Sequence, residues 1–324
     1  MKRLHSRIPG SVAKTRLDEY LVMWLPMALG KQISKTKIRT LLLSGAVYVN
    51  RHRNKNGTTP LYAGAIIEVY YDENKIEHGQ PLRIEQVRFD TNRVVFEDEW
   101  LMIVDKPAGL PTQPTIDPNR ANLFDILKKF IDQREQTQGC YVGLHHRLDR
   151  DTSGLVLFTK KEEANKGVSE LFSQKLIQKT YQCLVWRSPN APQYKLNEQF
   201  TIENYLGKIS AKNENSRFGA VTSGGDVAIT HFRVLECFRD VYWLEAQPHT
   251  GRTHQIRVHC SENFLPILGD PVYSDKTVVS FTNAPRLMLH AGALSFTHPI
   301  TQEKILVTSP LPEDFIQVLG TLKA

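Results

Sequence analysis

Residues 144–161 read LHHRLDRDTSGLVLFTKK. The second half, GLVLFTKK, is an apolar run with β character, entered through the Thr-Ser-Gly turn at 152–154. The first half crowds two histidines and two arginines around Asp149 and Asp151. Outward from this stretch the same kind of short strand recurs. RVVFEDEWLMIVDKPAG (93–109) reads as two strands and a Lys-Pro-x-Gly turn. TYQCLVW (180–186), AITHFRVLECF (228–238), VYWLEAQP (241–248), RLMLHAGALSFTHP (286–299) and KILVTSP (304–310) read as further strands. Among these strands, helical spacing marks ANLFDILKKFID (121–132) and ANKGVSELFSQKL (164–176). Dominant strands with scattered helices imply an α+β body with a mixed or antiparallel sheet, not a doubly wound one.

The chain has 324 residues, 41% hydrophobic, enough for one large domain and a small one. Its charge of +7 is unevenly placed. Residues 1–60 hold twelve Lys and Arg against Asp18 and Glu19, a net of +10, so the remainder carries −3. A cationic head on a near-neutral body suits a polyanion-binding module joined to something else. Within the head, RLDEYLVMWL (16–25) is an amphipathic helix expected to end at Pro26 and Gly30. SKTKIRTLLLSG (34–45) is a second helix with Ser34 as N-cap and Gly45 as its stop. Two short strands, AVYVN and AIIEVYY, follow around a polar loop. The expected organisation is a flexible basic tail over 1–14, a small α+β unit over 15–75, a linker over 76–90 and the body over 91–324.

The four cysteines are far apart with no CxxC pair, which fits free thiols in a reducing compartment. The N-terminus lacks the apolar core of a secretory signal, and YLVMWLPMALG is too short to span a bilayer. A cytoplasmic protein without a membrane partner is expected.

Two stretches carry the chemistry, HHRLDRDTSG (145–154) and PHTGRTHQIRVHC (248–260). Metal binding is disfavoured, since His254 and His259 are five apart and His145 and His146 are adjacent. Ser153 lies in T-S-G, not in a G-x-S-x-G elbow, and no phosphate-loop or dinucleotide glycine pattern is present. What remains is a carboxylate flanked by arginines. The bland alternative is an ion-paired turn, and spacing alone does not choose Asp149 over Asp151.

HRLDRDTSGLVLFTK resembles the signature of the RluA family of RNA pseudouridine synthases. EDEWLMIVDKPAGL (97–110), KTY (179–181), GRTHQIRVH (251–259), ILGDPVY (267–273) and RLMLHAGALSFTHP resemble the family's other motifs in order, over roughly residues 91–310. The 34–50 stretch resembles an S4-type RNA-binding domain, departing at Arg51, where a glycine usually follows Val-Asn. The body departs at DVAIT (226–230), where a lysine is commoner before Ala-x-Thr. The resemblance implies a pseudouridine synthase fold with a mixed, mainly antiparallel central sheet. It implies Asp149 as the essential carboxylate, Arg257 as its partner, and Tyr181 against the uracil, where it would also accept the proton from carbon 5. Arg147 would fill the gap left by an extruded uridine. His146, Thr152, Arg252, His254 and Lys106 would contact substrate. Lys31, Lys35, Lys37, Arg39, Arg51 and Arg53 would hold phosphates. The expected reaction is an isomerisation without redox step or second acceptor, so no cofactor is expected. The expected partner is RNA, ribosomal before transfer RNA, and the expected state a monomer. The competing class is a non-catalytic RNA-binding factor.

Overall fold

The computed structural model describes residues 2–10, 14–30, 32–43, 45–71, 87–115, 120–209, 217–274 and 284–323. Two compact units divide at Pro81 and Leu82. Most of the linker expected over 76–90 lies outside the described residues, as does Lys31.

The first unit contains β1 (Lys2–Arg7), α1 (Leu17–Leu29), α2 (Lys35–Leu43), β2 (Val47–Val49), β3 (His52–Arg53) and β4 (Ile66–Tyr71). Its antiparallel sheet has the order β1-β4-β2-β3. The flexible tail expected over 1–14 is therefore corrected: residues 2–7 form β1, paired along their whole length with β4. Charge suggests a solvated tail, but Leu4 and Ile8 pack on the unit's core while Arg3 pairs with Glu68. A second correction concerns α1, which runs through Pro26 and ends at Gly30 (φ 66°). Leu25 and Leu29 both pack on the core, and that burial outweighs the amide bond Pro26 lacks. Ser34 Oγ accepts the Lys37 amide at 3.2 Å at the start of α2.

Asn50 and Arg51 link β2 to β3 with φ of 51° and 67°. A two-residue connection with both φ positive is the hairpin turn that favours glycine at its second position. Arg51 occupies that position exposed, in a conformation that costs a non-glycine residue about 1–2 kcal/mol. Lys35 and Arg39 are exposed one helical turn apart on α2. Arg53 donates through Nε and Nη2 to Tyr48 Oη at 3.1 and 2.9 Å.

The second unit is built on β5 (Val94–Glu97), β6 (Leu101–Lys106), β7 (Gly143–Leu144), β8 (Ser153–Thr159), β9 (Gln178–Trp186), β10 (Gln199–Lys208), β11 (Phe218–Ala220), β12 (Asp226–Cys237), β13 (Val241–Pro248), β14 (Leu289–Thr297) and β15 (Lys304–Thr308). Its helices are α3 (Leu123–Glu135), α4 (Glu163–Ser173), α5 (Gln255–Glu262) and α6 (Glu313–Lys323). The sheet order is β11-β10-β12-β13-β9-β14-β8-β6-β5, with β15 on β14 and β7 on β8. Among the described strands only β8 and β14 pair in parallel, at Ser153–His290 and Ala291–Gly154. The fold is α+β with a mixed sheet.

Every residue of β8 is buried, which explains its continuous apolar run. Its entry requires Gly154 (φ 115°), because a Cβ there would lie 2.2 Å from Ala291 O. That close approach seats the loop preceding β8 against the centre of the sheet.

Candidate active site

Asp149 lies in the loop between β7 and β8, and its side chain keeps 28% exposure. Arg257, in the first turn of α5, is buried and donates through Nη1 to Asp149 Oδ2 at 2.7 Å. The other side of the same guanidinium forks onto Asp270, with Nε and Nη2 each 2.8 Å from a carboxylate oxygen. Asp270 is fully buried, and its Oδ1 also accepts the amides of Val272 and Tyr273 at 2.8 and 3.1 Å. Burial opposes the charge of Arg257, but the hydrogen bonds and charges of Asp270 and Asp149 hold its pKa above the ordinary value. An anchored guanidinium therefore presents one N–H edge to a half-open carboxylate.

Asp151, by contrast, is tied to its neighbour. Arg150 Nε and Nη2 lie 2.8 and 2.7 Å from its oxygens. Burial works against the Asp151 charge, and Arg150 outweighs it, holding the carboxyl below its usual range. Geometry thus separates two aspartates that sequence spacing leaves equivalent.

A cavity of about 600 Å³ opens in front of Asp149. Of the residues expected at the site, His146, Arg147, Thr152, Tyr181, Arg252, His254 and Arg257 line it with Asp149. Tyr181 stands on β9, where burial and then the Asp149 charge push its phenol above the ordinary value. It is a neutral phenol at physiological pH, suited to stacking and to donating a hydrogen bond. His254 has φ 57° just before α5, with Nε2 3.7 Å from Asp149 Oδ2. Its Nδ1 meets Tyr273 Oη at 2.9 Å, and that hydroxyl accepts the Phe218 amide at 3.1 Å. The Tyr273 proton is then available for Nδ1, which leaves Nε2–H facing Asp149. Burial pushes the His254 pKa down against the pull of Asp149.

Arg147 is exposed at the rim. Arg252 Nε donates to Val227 O at 3.1 Å, which joins the 250–254 turn to β12. His146 accepts the Leu157 amide on Nε2 at 2.9 Å, and burial pushes its pKa down to about 3. It is a neutral wall residue that ties the loop to β8. Thr152 is buried in the cavity wall, and its Oγ1 has no hydrogen-bond partner among the described residues.

Lys106 is corrected. The resemblance implies an RNA contact, but this lysine is fully buried and does not line the cavity. Its Nζ donates to the carbonyls of Pro107, Leu110 and Arg150 at 3.0, 2.9 and 3.0 Å. Together with Thr112 Oγ1, which donates to Leu148 O at 2.8 Å, it clamps the Asp149 loop from behind. Burial pushes this ammonium down to about 7, against the pull of Asp151 and Asp149. Between that value and its ordinary 10.5, the folded protein binds fewer protons here than the unfolded chain does. This lysine therefore makes stability rise with pH across the window. The stability gap between the parent and Lys106→Met, read by urea unfolding, is expected to widen from pH 7 to 9, by at most about 1.4 kcal/mol per pH unit. A gap that stays flat would mean an ammonium charged throughout.

Sequence reasoning misses four residues. Asp270 and Tyr273 sit in the ILGDPVY motif without a role of their own, and Gln255 and Lys179 are likewise unassigned. Gln255 Nε2 donates to Ile229 O and Thr230 Oγ1, both at 2.9 Å, fixing the start of α5 to β12. Among the described residues, no cluster of three or more His, Cys, Asp or Glu could hold a metal ion, and no helix is long and apolar enough to cross a membrane.

Residues 100–262, the span that carries Asp149, Tyr181 and Arg257, match the RNA pseudouridylate synthase family. The chain belongs to that family. This pseudouridine synthase is 30% identical to ribosomal large subunit pseudouridine synthase C of Vibrio cholerae, over 98% of its own length and 96% of the relative's. It is also 30% identical to ribosomal large subunit pseudouridine synthase D of Nitrosomonas europaea, over 98% and 87% of the two chains. The relatives place the synthase in the RluA family. Its fold is shared with human RNA pseudouridylate synthase domain containing 4, at a TM-score of 0.57 and 24% identity, covering 72% of the synthase and 94% of that chain. The synthase is an isomerase that converts uridine in RNA to pseudouridine.

Proposed function

We propose that the chain modifies large-subunit ribosomal RNA, with Asp149 as the reacting carboxylate. The observation that carries this is the Asp149–Arg257–Asp270 chain of charge at the floor of the cavity. The reaction breaks the bond between ribose C1′ and uracil N1. It then joins C1′ to uracil C5; C5 loses its proton and N1 takes one up, so substrate and product are isomers. No second molecule receives a group, so the groups needed are a carboxylate that stays ionised, a surface to hold the turning base, and a closed pocket. Asp149 supplies the first as nucleophile or as electrostatic partner of the departing base. Tyr181 supplies the second by stacking. Its phenol, whose pKa burial raises, is also the proposed acceptor of the C5 proton. Arg147, at the rim, takes the place of the extruded base in the RNA stack. Thr152 contacts the bound nucleotide from the cavity wall.

The first unit, the expected 15–75 together with β1, acts as an S4-like RNA-binding domain, and a catalytic domain over 91–324 follows it in the chain. Lys35, Lys37, Arg39, Arg51 and Arg53 contact phosphates there, which positions RNA without reading its sequence. Ribosomal RNA is favoured over transfer RNA by the names of the near full-length relatives.

The test is pseudouridine mapping, by chemical labelling and mass spectrometry, on unmodified ribosomal and transfer RNA incubated with the full chain. New pseudouridine in large-subunit RNA is expected. Modification of transfer RNA alone would overturn the substrate, and none in either would leave the reading without support.

A further inference from the structure

A second cavity of about 500 Å³ adjoins the first. The two share Lys175, Ile177, Lys179, Pro248 and His249, so one continuous trough leads away from Asp149. Its far part is lined by His231 on β12, Gln247 on β13, Ser295 and Thr297 on β14, and Lys304 at the start of β15. Strands β12, β13, β9, β14 and β15 are consecutive neighbours. The registers His231–Gln247, Ser295–Gln178 and Thr297–Lys304 align these positions across the sheet. Four interstrand spacings of about 4.8 Å make the row about 19 Å long.

The trough is electrically one-sided. Three lysines and two histidines line it, with no Asp or Glu among its lining residues. Burial lowers the Lys179 pKa, and no neighbouring carboxylate works against that. Its Nζ stands beside Gly251, 3.7 Å from where a Cβ would be. His231 Nδ1 is held by Thr201 Oγ1 at 2.8 Å, which leaves Nε2 as the ring's other polar atom. Lys175 has φ 59° in the turn that closes α4, a position glycine would fill without strain. A lysine kept there at a conformational cost, above a groove of matching charge, indicates use of its ammonium.

We infer that this trough is a phosphate-binding subsite for the RNA strand that continues from the extruded uridine, with Lys175, Lys179 and Lys304 as its cationic contacts. The inference rests on the reading of the first cavity as the uridine pocket. An extruded nucleotide leaves its two flanking phosphates at the mouth of that pocket. The strand must then run over protein, and this is the cationic channel that leaves it. Such contacts supply affinity and path, not sequence.

The experiment uses the full chain, with Lys175→Gly, Lys304→Gln and the double variant. Binding of a fluorescein-labelled oligouridylate is followed by anisotropy over a salt series. Each substitution is expected to weaken binding by about three- to tenfold at moderate salt. The slope of log Kd against log salt should fall by about 0.7 for each lysine–phosphate pairing that a substitution removes. Lys175→Gly relieves a strained backbone position, so its melting midpoint should equal or exceed the parent's, which separates weakened binding from weakened folding. On ribosomal RNA the loss should fall on kcat/KM through KM. Parental affinity and salt slope in the double variant would overturn the inference, as would a fall in kcat with affinity intact. Binding needs no turnover. A parent that binds but forms no pseudouridine therefore counts against the function proposed above and leaves the trough's own result readable.

Discussion

Asp149→Asn is expected to lower pseudouridine formation by on the order of 10⁴-fold or more, because the substitution removes the reacting charge while keeping the shape. RNA affinity should stay within a few-fold, since phosphate contacts elsewhere carry it. Stability should fall little. The Asp149 side chain is 28% exposed, and Arg257 keeps its fork onto Asp270. Single-turnover mapping on ribosomal RNA, with melting and binding in parallel, checks all three. Substantial residual turnover in a folded, RNA-binding variant would remove Asp149 from the chemistry.

Asp270→Ala should behave the opposite way. Asp270 is fully buried and neutralises a guanidinium that is 7% exposed. Removing one partner of a buried ion pair leaves the other uncompensated, which costs about 3–5 kcal/mol. The loss also frees the Val272 and Tyr273 amides from their acceptor. Urea unfolding should show the midpoint moving sharply down. Asp270→Asn keeps an acceptor and should recover part of the stability. In that folded variant Arg257 is no longer held in register, so kcat should fall with KM little changed. Full activity in Asp270→Asn would mean that Arg257 needs no anchor to serve Asp149.

Much of this is legible in the sequence. Alternation and apolar runs mark β5, β6, β8, β9 and β12 to β15, because each packs a face or its whole length in or against the core. Helix α5 escapes such a reading, since six of its eight residues are buried and no polar face gives it a helical period. Helix α6 does carry a period at Phe315, Val318 and Leu319, and the strand-by-strand reading of the body stops short of it. The β1 strand is hidden because its four basic residues dominate the pattern, while its partner β4 lies about sixty residues away. At the site, Asp149, Tyr181 and Arg257 come from motif resemblance alone. Asp270 looks in sequence like a turn aspartate before Pro271, and only the fold shows that it faces Arg257. Lys106 is misplaced for the same reason: a lysine in a Lys-Pro-x-Gly turn looks exposed until three carbonyls converge on it.

The parallel pairing of β8 with β14 also decides when the site can exist. Asp149 leads into β8, while Tyr181 stands on β9 and Arg257 follows β13. In the sheet β14 lies between β8 and β9 and is the seam that joins them. Ser153 and His290, paired across that seam, are 137 residues apart. On a growing polypeptide the carboxylate and the tyrosine are made early but belong to two separate pieces of sheet. They become one site only after the late strand slides in between, a non-local closure of the kind that slows folding. Arg257 precedes the start of β14 at Leu289 by 32 residues, so the side chains of Asp149, Tyr181 and Arg257 are all made before the strand that joins them.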